Sequence, residues 1–209
     1  MKRIAGFHVL IGSTSDARAI ELATFAREAG AAVVQLRDKF RTDEELLELA
    51  SSLRGVIEDV TFIINDRVDI AHTVKADGVH LGQNDLPIGE AREVLGPDAI
   101  IGISTSTVEE ALEAERAGAN YIGFGHMFPT RSKQKSTAPK SLEELRAIVA
   151  AVSIPVIAIG GIMESNVRDI LIPGLGGIAV IGAVSESDDP SATIRNFVNL
   201  LEKHHAIHA

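Results

Sequence analysis

The sequence predicts a parallel (β/α)8 barrel formed by one domain over residues 1–209. Eight short runs, most of them continuously apolar, alternate with longer stretches of helical periodicity at intervals of roughly 20–30 residues. Continuously apolar strands are typical of a parallel sheet that is covered on both faces. No linker or low-complexity segment interrupts the alternation. An open doubly wound sheet is the alternative, but its G-x-G-x-x-G fingerprint is absent, since the residues at 12–15 read GSTS.

The strands and helices are assigned in order along the chain. The predicted strands are FHVLIG (7–12), AVVQLRD (32–38), TFIIND (61–66), GVHLG (78–82), IIGIST (100–105), YIGFG (121–125), PVIAIG (155–160) and GIAVIGA (177–183). The predicted helices cover 16–29, 43–55, 107–117 and 189–204, with another that begins after Ser141. Thr42 is a predicted N-cap, and Ser141 with Glu144 forms a predicted capping box. The His-rich end, 203–209, is predicted to be a frayed tail, with incidental metal binding as the alternative.

Composition narrows the function classes. With 0 Cys the chain holds no disulfide, thiolate zinc site, iron–sulfur cluster or cysteine nucleophile, which fits a reducing cytoplasm. The net charge of −9, together with 0 Trp and 1 Tyr, disfavours nucleic acids and anionic membranes as partners. No run is apolar enough to predict a membrane span, and the start is interpreted as a first strand rather than a signal peptide. The oligomeric state is left open, with a homo-oligomer allowed.

Polar side chains follow the second strand, where a barrel of this type places its active site. Alternation sends Gln35, Arg37 and Lys39 to one side, which is the interior if Val33 also points inward. Two cations and an amide at a barrel mouth suit an anionic substrate. The alternative is a solvated strand end with an Arg–Asp pair.

Two carboxylates leave the next two strands at the same rim. Asp66 follows the third strand and Asp85 follows the fourth. Oxygen ligands of this kind, together with a diphosphate, are what Mg²⁺ requires, because the ion keeps several waters and needs few protein ligands. The alternatives are a helix cap for Asp66 and a turn residue for Asp85.

The remaining strand ends carry weaker signals. Ser104 lies in no nucleophile motif and is predicted to be a hydrogen-bonding hydroxyl. His80, inside a strand, is interpreted as a hydrogen-bonded core histidine rather than a ligand. Gly161 and Gly182 would let backbone N–H groups approach a phosphate, although close packing also selects glycine.

The loop after the sixth strand, residues 126–140, is basic within an acidic protein. No Asp or Glu occurs from Arg116 through Leu142. The loop contains four cations, Arg131, Lys133, Lys135 and Lys140, and the hydroxyls of Thr130 and Ser132 alternate with them as natural phosphate donors. Its length suits a lid over the site, and a mobile basic loop is the alternative.

From about residue 30 to 185 the sequence resembles the thiamine-phosphate synthase family. The motifs that carry the resemblance are Q-x-R-x-K (35–39), N-D (65–66), A-D-G-V-H-L-G-Q-x-D (76–85), G-x-S (102–104), P-T-x-[ST]-K (129–133), I-P-V-x-A-I-G-G-I (154–162) and G-I-A-V (177–180). The run at 76–85 and the motif at 129–133 are specific, whereas G-G-I is common among phosphate-binding barrels.

The resemblance implies a reaction and a set of site residues. The family joins hydroxymethylpyrimidine diphosphate to thiazole phosphate and releases pyrophosphate, through a cationic methylene carbon that the thiazole nitrogen attacks. It implies that Gln35, Arg37, Lys39 and Asn65 hold the diphosphate substrate and that Asp66 and Asp85 carry Mg²⁺. It also implies that Ser104 lies by the pyrimidine, that Thr130, Ser132 and Lys133 bind phosphate groups, and that Gly161 and the Gly182 turn bind the thiazole phosphate. Ser104, Lys133 and Arg37 are the residues expected to matter most for catalysis.

Four positions depart from the family pattern. Ser132 stands where Thr is common, Gly182 replaces a common Ser, and residues 12–14 lack the usual T-D-R-type strand end. His126 occupies a position that is often Pro, and the related thiazole tautomerases use a His there for acid–base chemistry. A thiazole tautomerase is therefore the second expectation. A non-catalytic regulatory barrel that binds a phosphorylated ligand is the third, and the paired carboxylates argue against it.

Overall fold

Eight parallel strands close into a barrel in chain order in the computed structural model, which describes residues 2–130 and 138–208. The strands are β1 (Gly6–Ile11), β2 (Val33–Leu36), β3 (Thr61–Asn65), β4 (Gly78–Leu81), β5 (Ile100–Thr105), β6 (Tyr121–Gly125), β7 (Val156–Ile159) and β8 (Gly177–Val180). The eighth strand pairs in parallel with the first, from Gly6 opposite Gly177 to Val9 opposite Val180. The (β/α)8 prediction is confirmed, and the open sheet is excluded.

Helices follow the strands, and the seventh unit is the exception. They are α1 (Asp16–Glu28), α2 (Asp43–Val56), α3 (Val68–Thr73), α4 (Ile88–Leu95), α5 (Val108–Arg116), α6 (Leu142–Ala151), α7 (Gly182–Ser185) and α8 (Pro190–His208). A 3-10 turn at Val167–Ile170 takes the place of a helix between β7 and β8. The predicted capping at Thr42 and Ser141 is confirmed, since both hydroxyls accept a hydrogen bond from the third helical residue within a capping box. No helix within the described residues is long and apolar enough to cross a membrane.

The predictions for the end of the eighth strand and for the C-terminal tail are wrong. The eighth strand ends at Val180 rather than 183, because the backbone leaves the extended region at Ile181 and Gly182 begins α7. The predicted frayed tail is helical through His208. Two imidazoles hold it: His204 Nε2 is 2.9 Å from the Ile172 carbonyl, and His205 Nε2 is 3.0 Å from the Leu175 carbonyl.

The barrel interior has its own small core, separate from the layer between strands and helices. It consists of Leu10, Ala32, Val33, Ile63, Ile100, Tyr121, Ile157 and Ala179. His8 lies beside this core, with Nε2 at 2.6 Å from the Ile4 carbonyl, and burial lowers the pKa of the His8 imidazole to about 4. Strand alternation places Gln35 above Val33 and Asn65 above Ile63, so polar side chains replace apolar ones toward the carboxyl ends of the strands.

Candidate active site

Two polar side chains at the end of β2 have no partner among the residues that the structure describes. Gln35 is only 3% exposed, yet its amide makes no hydrogen bond within the described residues. Arg37 is half-buried, and its backbone N–H extends the ladder to β1 by donating to the Ile11 carbonyl at 2.8 Å. Its guanidinium also has no ion pair or hydrogen bond across residues 2–130 and 138–208. An amide and a guanidinium without partners at the barrel mouth are available to a ligand.

An Arg–Asp pair does exist at this strand end, but its arginine is Arg41 and not Arg37. Asp38 is bound by Arg41, whose Nε lies 3.3 Å from Oδ2, and by the Phe40 N–H at 3.0 Å. Arg41 also reaches Asp16 on α1 at 2.6 Å and the Thr14 carbonyl at 2.8 Å. These contacts fix the β2–α2 loop against the β1–α1 loop, and they leave the Arg37 side chain uncommitted.

Asp66 lies at the rim in an unusual backbone conformation. Its φ is +61°, and its N–H donates to the His80 carbonyl of β4 at 2.9 Å. Such a φ is uncommon outside glycine, and it clusters at functional sites. The Asp66 carboxylate forms an ion pair with Lys39. The helix-cap alternative fails, because Arg67 occupies the N-cap position of α3.

Asp85 combines a turn role with an available oxygen. Its Oδ2 accepts a hydrogen bond from the Gly82 N–H at 2.6 Å, so the turn alternative describes part of its role. Its Oδ1 has no partner among the residues that the structure describes. Gln83 ties the same turn to β5, since its Nε2 donates to the Ser104 carbonyl at 2.7 Å. Two carboxylates on adjacent strand ends fit Mg²⁺ bound together with a diphosphate, because that ion keeps several waters.

A hydrogen-bonded chain runs from Tyr121 on β6, in the barrel interior, through His80 on β4 to Ser104 on β5 at the mouth. Tyr121 Oη lies 3.0 Å from His80 Nδ1, and His80 Nε2 lies 2.9 Å from Ser104 Oγ. Glycines make room for it, because a Cβ at Gly102 would overlap the Tyr121 ring and one at Gly123 would lie 2.8 Å from the imidazole of His80. The interpretation of His80 as a hydrogen-bonded histidine is confirmed. The part played by Tyr121 was missed, and its position on the inward face of a strand was the available signal.

The segment after β6 is fixed at both of its described ends. The Met127 N–H donates to the Ile159 carbonyl at 3.0 Å, and the Lys140 N–H donates to the His126 carbonyl at 2.8 Å. Lys140 Nζ donates to the Ser106 carbonyl and to Glu144 Oε1, both at 2.9 Å, so this cation is used in closing the loop. The Ser141 N–H and, to a smaller extent, the Lys140 ammonium hold the pKa of the Glu144 carboxyl below its usual range.

Several predicted phosphate ligands belong to this loop. His126 is buried, at 6% exposure, and Thr130 is half-buried. Ser132 and Lys133 lie outside the described residues, as do the other cations of the segment, Arg131 and Lys135. The predicted lid over 126–140 is therefore described only at its two ends.

The two glycines predicted to approach phosphate have close neighbours of their own. Gly161 has a φ of +69°, and a Cβ there would lie 2.6 Å from the Phe128 carbonyl oxygen. Close packing therefore requires glycine at 161, which brings this turn against the start of the β6 loop. At Gly182 a Cβ would lie 3.1 Å from Glu186 Oε1, so a carboxylate stands beside the first residue of α7.

Comparison with known proteins gives one consistent result. A family model described as thiamine monophosphate synthase matches residues 8–184. The chain is 49% identical to the thiamine-phosphate synthase of Chlorobium phaeobacteroides over 187 residues, which covers 88% of this chain and 91% of that protein. It is 44% identical to that of Haloarcula marismortui, with 92% of each chain covered. A thiamine phosphate pyrophosphorylase structure from Pyrococcus furiosus superimposes with a TM-score of 0.85 at 40% identity, covering 96% of both chains.

Proposed function

Because this chain belongs to the thiamine monophosphate synthase family and is a transferase of thiamine biosynthesis, we propose that its C-terminal rim carries out the coupling step. In that step hydroxymethylpyrimidine diphosphate loses pyrophosphate and its methylene carbon is captured by the nitrogen of thiazole phosphate. Phosphorylated small molecules are thus the substrates, and the rim supplies charge and position.

The observation that carries the proposal is the pair of polar side chains at the end of β2, Gln35 and Arg37, that have no partner within the described residues. The Gln35 side chain makes no hydrogen bond within the described residues, so its amide is available to a ligand at the barrel mouth. A guanidinium presents parallel donors that match phosphate oxygens, which suits Arg37 to the diphosphate. Lys39 and Asn65, on the same rim, complete the set proposed for this substrate.

Charge stabilisation of the leaving group explains how these residues speed the reaction. As the C–O bond breaks, negative charge accumulates on pyrophosphate and positive charge on the methylene carbon. Arg37 and Lys39 stabilise the first of these charges, and Lys133 is proposed to join them from the loop. Asp66 and Asp85 would hold Mg²⁺, which supplies further positive charge to the diphosphate when it is bound. Little proton transfer is needed, because carbon–nitrogen bond formation follows ionisation.

The remaining residues bind and orient the substrates in this proposal. Ser104 contacts the pyrimidine, Thr130 and Ser132 bind phosphate oxygens, and the Gly161 and Gly182 turns receive the thiazole phosphate. Location in the cytoplasm is a further proposal, supported by the absence of cysteine. Neither nucleic acid nor a membrane is proposed as a partner, in keeping with the net charge of −9.

The test is a product assay with the two purified substrates, with and without Mg²⁺. We expect pyrophosphate and thiamine phosphate to appear in equal amounts, only when both substrates and Mg²⁺ are present. The matched control is Arg146→Ala, which removes an exposed guanidinium from the middle of α6 and should leave the rate unchanged. Isomerisation of a thiazole substrate alone, without coupling, would replace the proposal with the tautomerase activity.

A further inference from the structure

We propose that Tyr121 and His80 are positioning residues that make the Ser104 hydroxyl a hydrogen-bond donor toward the pyrimidine substrate. The proposal rests on the proposed function for the identity of that substrate. It depends on the chain of contacts described above, in which Tyr121 Oη is 3.0 Å from His80 Nδ1 and His80 Nε2 is 2.9 Å from Ser104 Oγ.

The direction of the chain is set at its buried end. Tyr121 is 1% exposed, and within the described residues its hydroxyl contacts only His80. If the hydroxyl accepted a proton from Nδ1, its own hydrogen would be buried without an acceptor, which is costly. Tyr121 therefore donates to Nδ1. Burial also raises the pKa of the Tyr121 phenol far above its ordinary value, so the donor hydrogen is retained at neutral pH.

The rest of the chain follows from the chemistry of imidazole. With Nδ1 accepting, the neutral His80 ring carries its hydrogen on Nε2 and donates it to Ser104 Oγ. The neighbouring His8 does not compete, since its ring meets Tyr121 edge to face, with centroids 5.6 Å apart.

Ser104 is the residue of the hydrogen-bonded chain that can contact the substrate. Its residue is exposed at the barrel mouth, and no described residue accepts a hydrogen bond from its hydroxyl. Because Oγ already accepts from His80, its hydrogen is directed to a ligand acceptor. A pyrimidine ring nitrogen is such an acceptor, whereas an amino substituent is a donor. The chain from Tyr121 therefore selects the ring-nitrogen edge of the substrate.

Imidazole nitrogen NMR tests the direction without any substrate. In the ligand-free protein at neutral pH we expect His80 to be protonated at Nε2 and unprotonated at Nδ1. His8 and His204 are internal references, because each places Nε2 against a backbone carbonyl that can only accept. In Tyr121→Phe the His80 ring should change to a mixture of tautomers. Protonation of His80 at Nδ1 in the unaltered protein would overturn the proposal.

Kinetics test whether the direction matters to coupling. We expect Tyr121→Phe and Ser104→Ala each to lower kcat/KM for the pyrimidine diphosphate about tenfold. The double variant should be no worse than Ser104→Ala, because both changes remove the same donor. Independent, multiplying losses would reject the proposal even if the tautomer is as expected.

A second variant guards against a folding defect in Tyr121→Phe. His80→Gln keeps one acceptor and one donor and should retain more substrate affinity than His80→Phe, which has neither. Equal losses in the two would also reject the proposal. Absence of coupling by the unaltered protein would instead reject the proposed function, and the NMR result would still decide the direction of the chain.

Discussion

Two arginines, one at each end of the barrel, differ in what their guanidinium groups contact. At the amino-terminal end the Arg92 guanidinium donates to the carbonyls of Pro97, Ala99 and Gly118 at 2.7–3.0 Å and to the side chain of Asn120 at 3.0 Å. At the carboxyl-terminal end the Arg37 guanidinium has no partner within the described residues. A guanidinium whose donors are used by backbone carbonyls stabilises the fold, whereas one without partners at a concave rim is available to a ligand.

The same contrast exists within one motif. Asp77 and Asp85 both lie in the run A-D-G-V-H-L-G-Q-x-D, on either side of β4. Asp77 accepts from the Phe62 N–H at 2.8 Å and from Arg54 at 3.2 Å, which fixes the start of the strand. Asp85, at the other end, leaves one carboxylate oxygen without a described partner. A motif shared with a family thus mixes residues that stabilise the barrel with residues proposed to bind a ligand.

The largest effect is expected from Arg37→Ala. Loss of a guanidinium that is proposed to stabilise developing charge on pyrophosphate should lower kcat/KM by about 100-fold or more, with the free energy of unfolding nearly unchanged. Steady-state rates and urea denaturation measure the two quantities on the same preparation. Activity in Arg37→Ala equal to that of the unaltered protein would contradict the proposal that Arg37 acts on the substrate.

Arg92→Ala should show the reverse pattern. It leaves three carbonyls and an amide without their donor, so we expect a loss of about 2 kcal/mol in the free energy of unfolding. The kcat/KM of the folded fraction should stay within twofold of the unaltered protein. Urea denaturation and active-site titration of the folded enzyme check this. A catalytic defect in fully folded Arg92→Ala would contradict the assignment of Arg92 to the fold alone.

Replacing either rim carboxylate should affect Mg²⁺ use. Asp66→Ala and Asp85→Ala are each expected to lower turnover at least tenfold, about 1.4 kcal/mol of barrier, because each removes a proposed oxygen ligand of Mg²⁺. Asp77→Asn, at the opposite end, is the matched control and should leave the Mg²⁺ titration curve unchanged. Turnover and Mg²⁺ dependence that both stay unaltered in the two rim variants would defeat the metal assignment.

Two residues of the loop, Lys133 and His126, are expected to differ in their effect on coupling. Lys133→Ala should lower kcat several-fold and not only raise KM, because its charge is expected to stabilise the leaving pyrophosphate more than the bound substrate. His126→Ala should leave coupling within about twofold, because the reaction needs little proton transfer. Assays of coupling and of single-substrate tautomerisation on both variants check this. Abolished coupling in His126→Ala with coupling intact in Lys133→Ala would reverse the assignment.

Much of the fold could be predicted because its strands are long apolar runs. Each predicted strand overlaps the observed one, and the closed order follows from eight alternating units. The helices α3 and α4 were not predicted, since six and eight residues give too few turns for a clear periodicity. The 3-10 turn in the seventh unit was missed for the same reason.

For the candidate site, the positions of the residues could be predicted from the sequence, but their partners could not. Sequence position predicts which polar side chains lie at strand ends, as for Gln35 and Asp66. It does not predict which of them have protein partners, because those contacts join residues far apart in the chain. Tyr121 reaches His80 across 41 positions, and Arg41 rather than Arg37 takes Asp38. Tertiary contacts therefore decide which charges remain available for a ligand.

Calorimetric titration with magnesium pyrophosphate tests the central claim most directly, because the claim is that the carboxyl-terminal rim binds diphosphate. We expect one site per chain in the unaltered protein, affinity at least tenfold weaker in Arg37→Ala, and unchanged affinity in folded Arg92→Ala. Affinity that Arg37→Ala leaves intact, or that both variants reduce equally, would contradict the account.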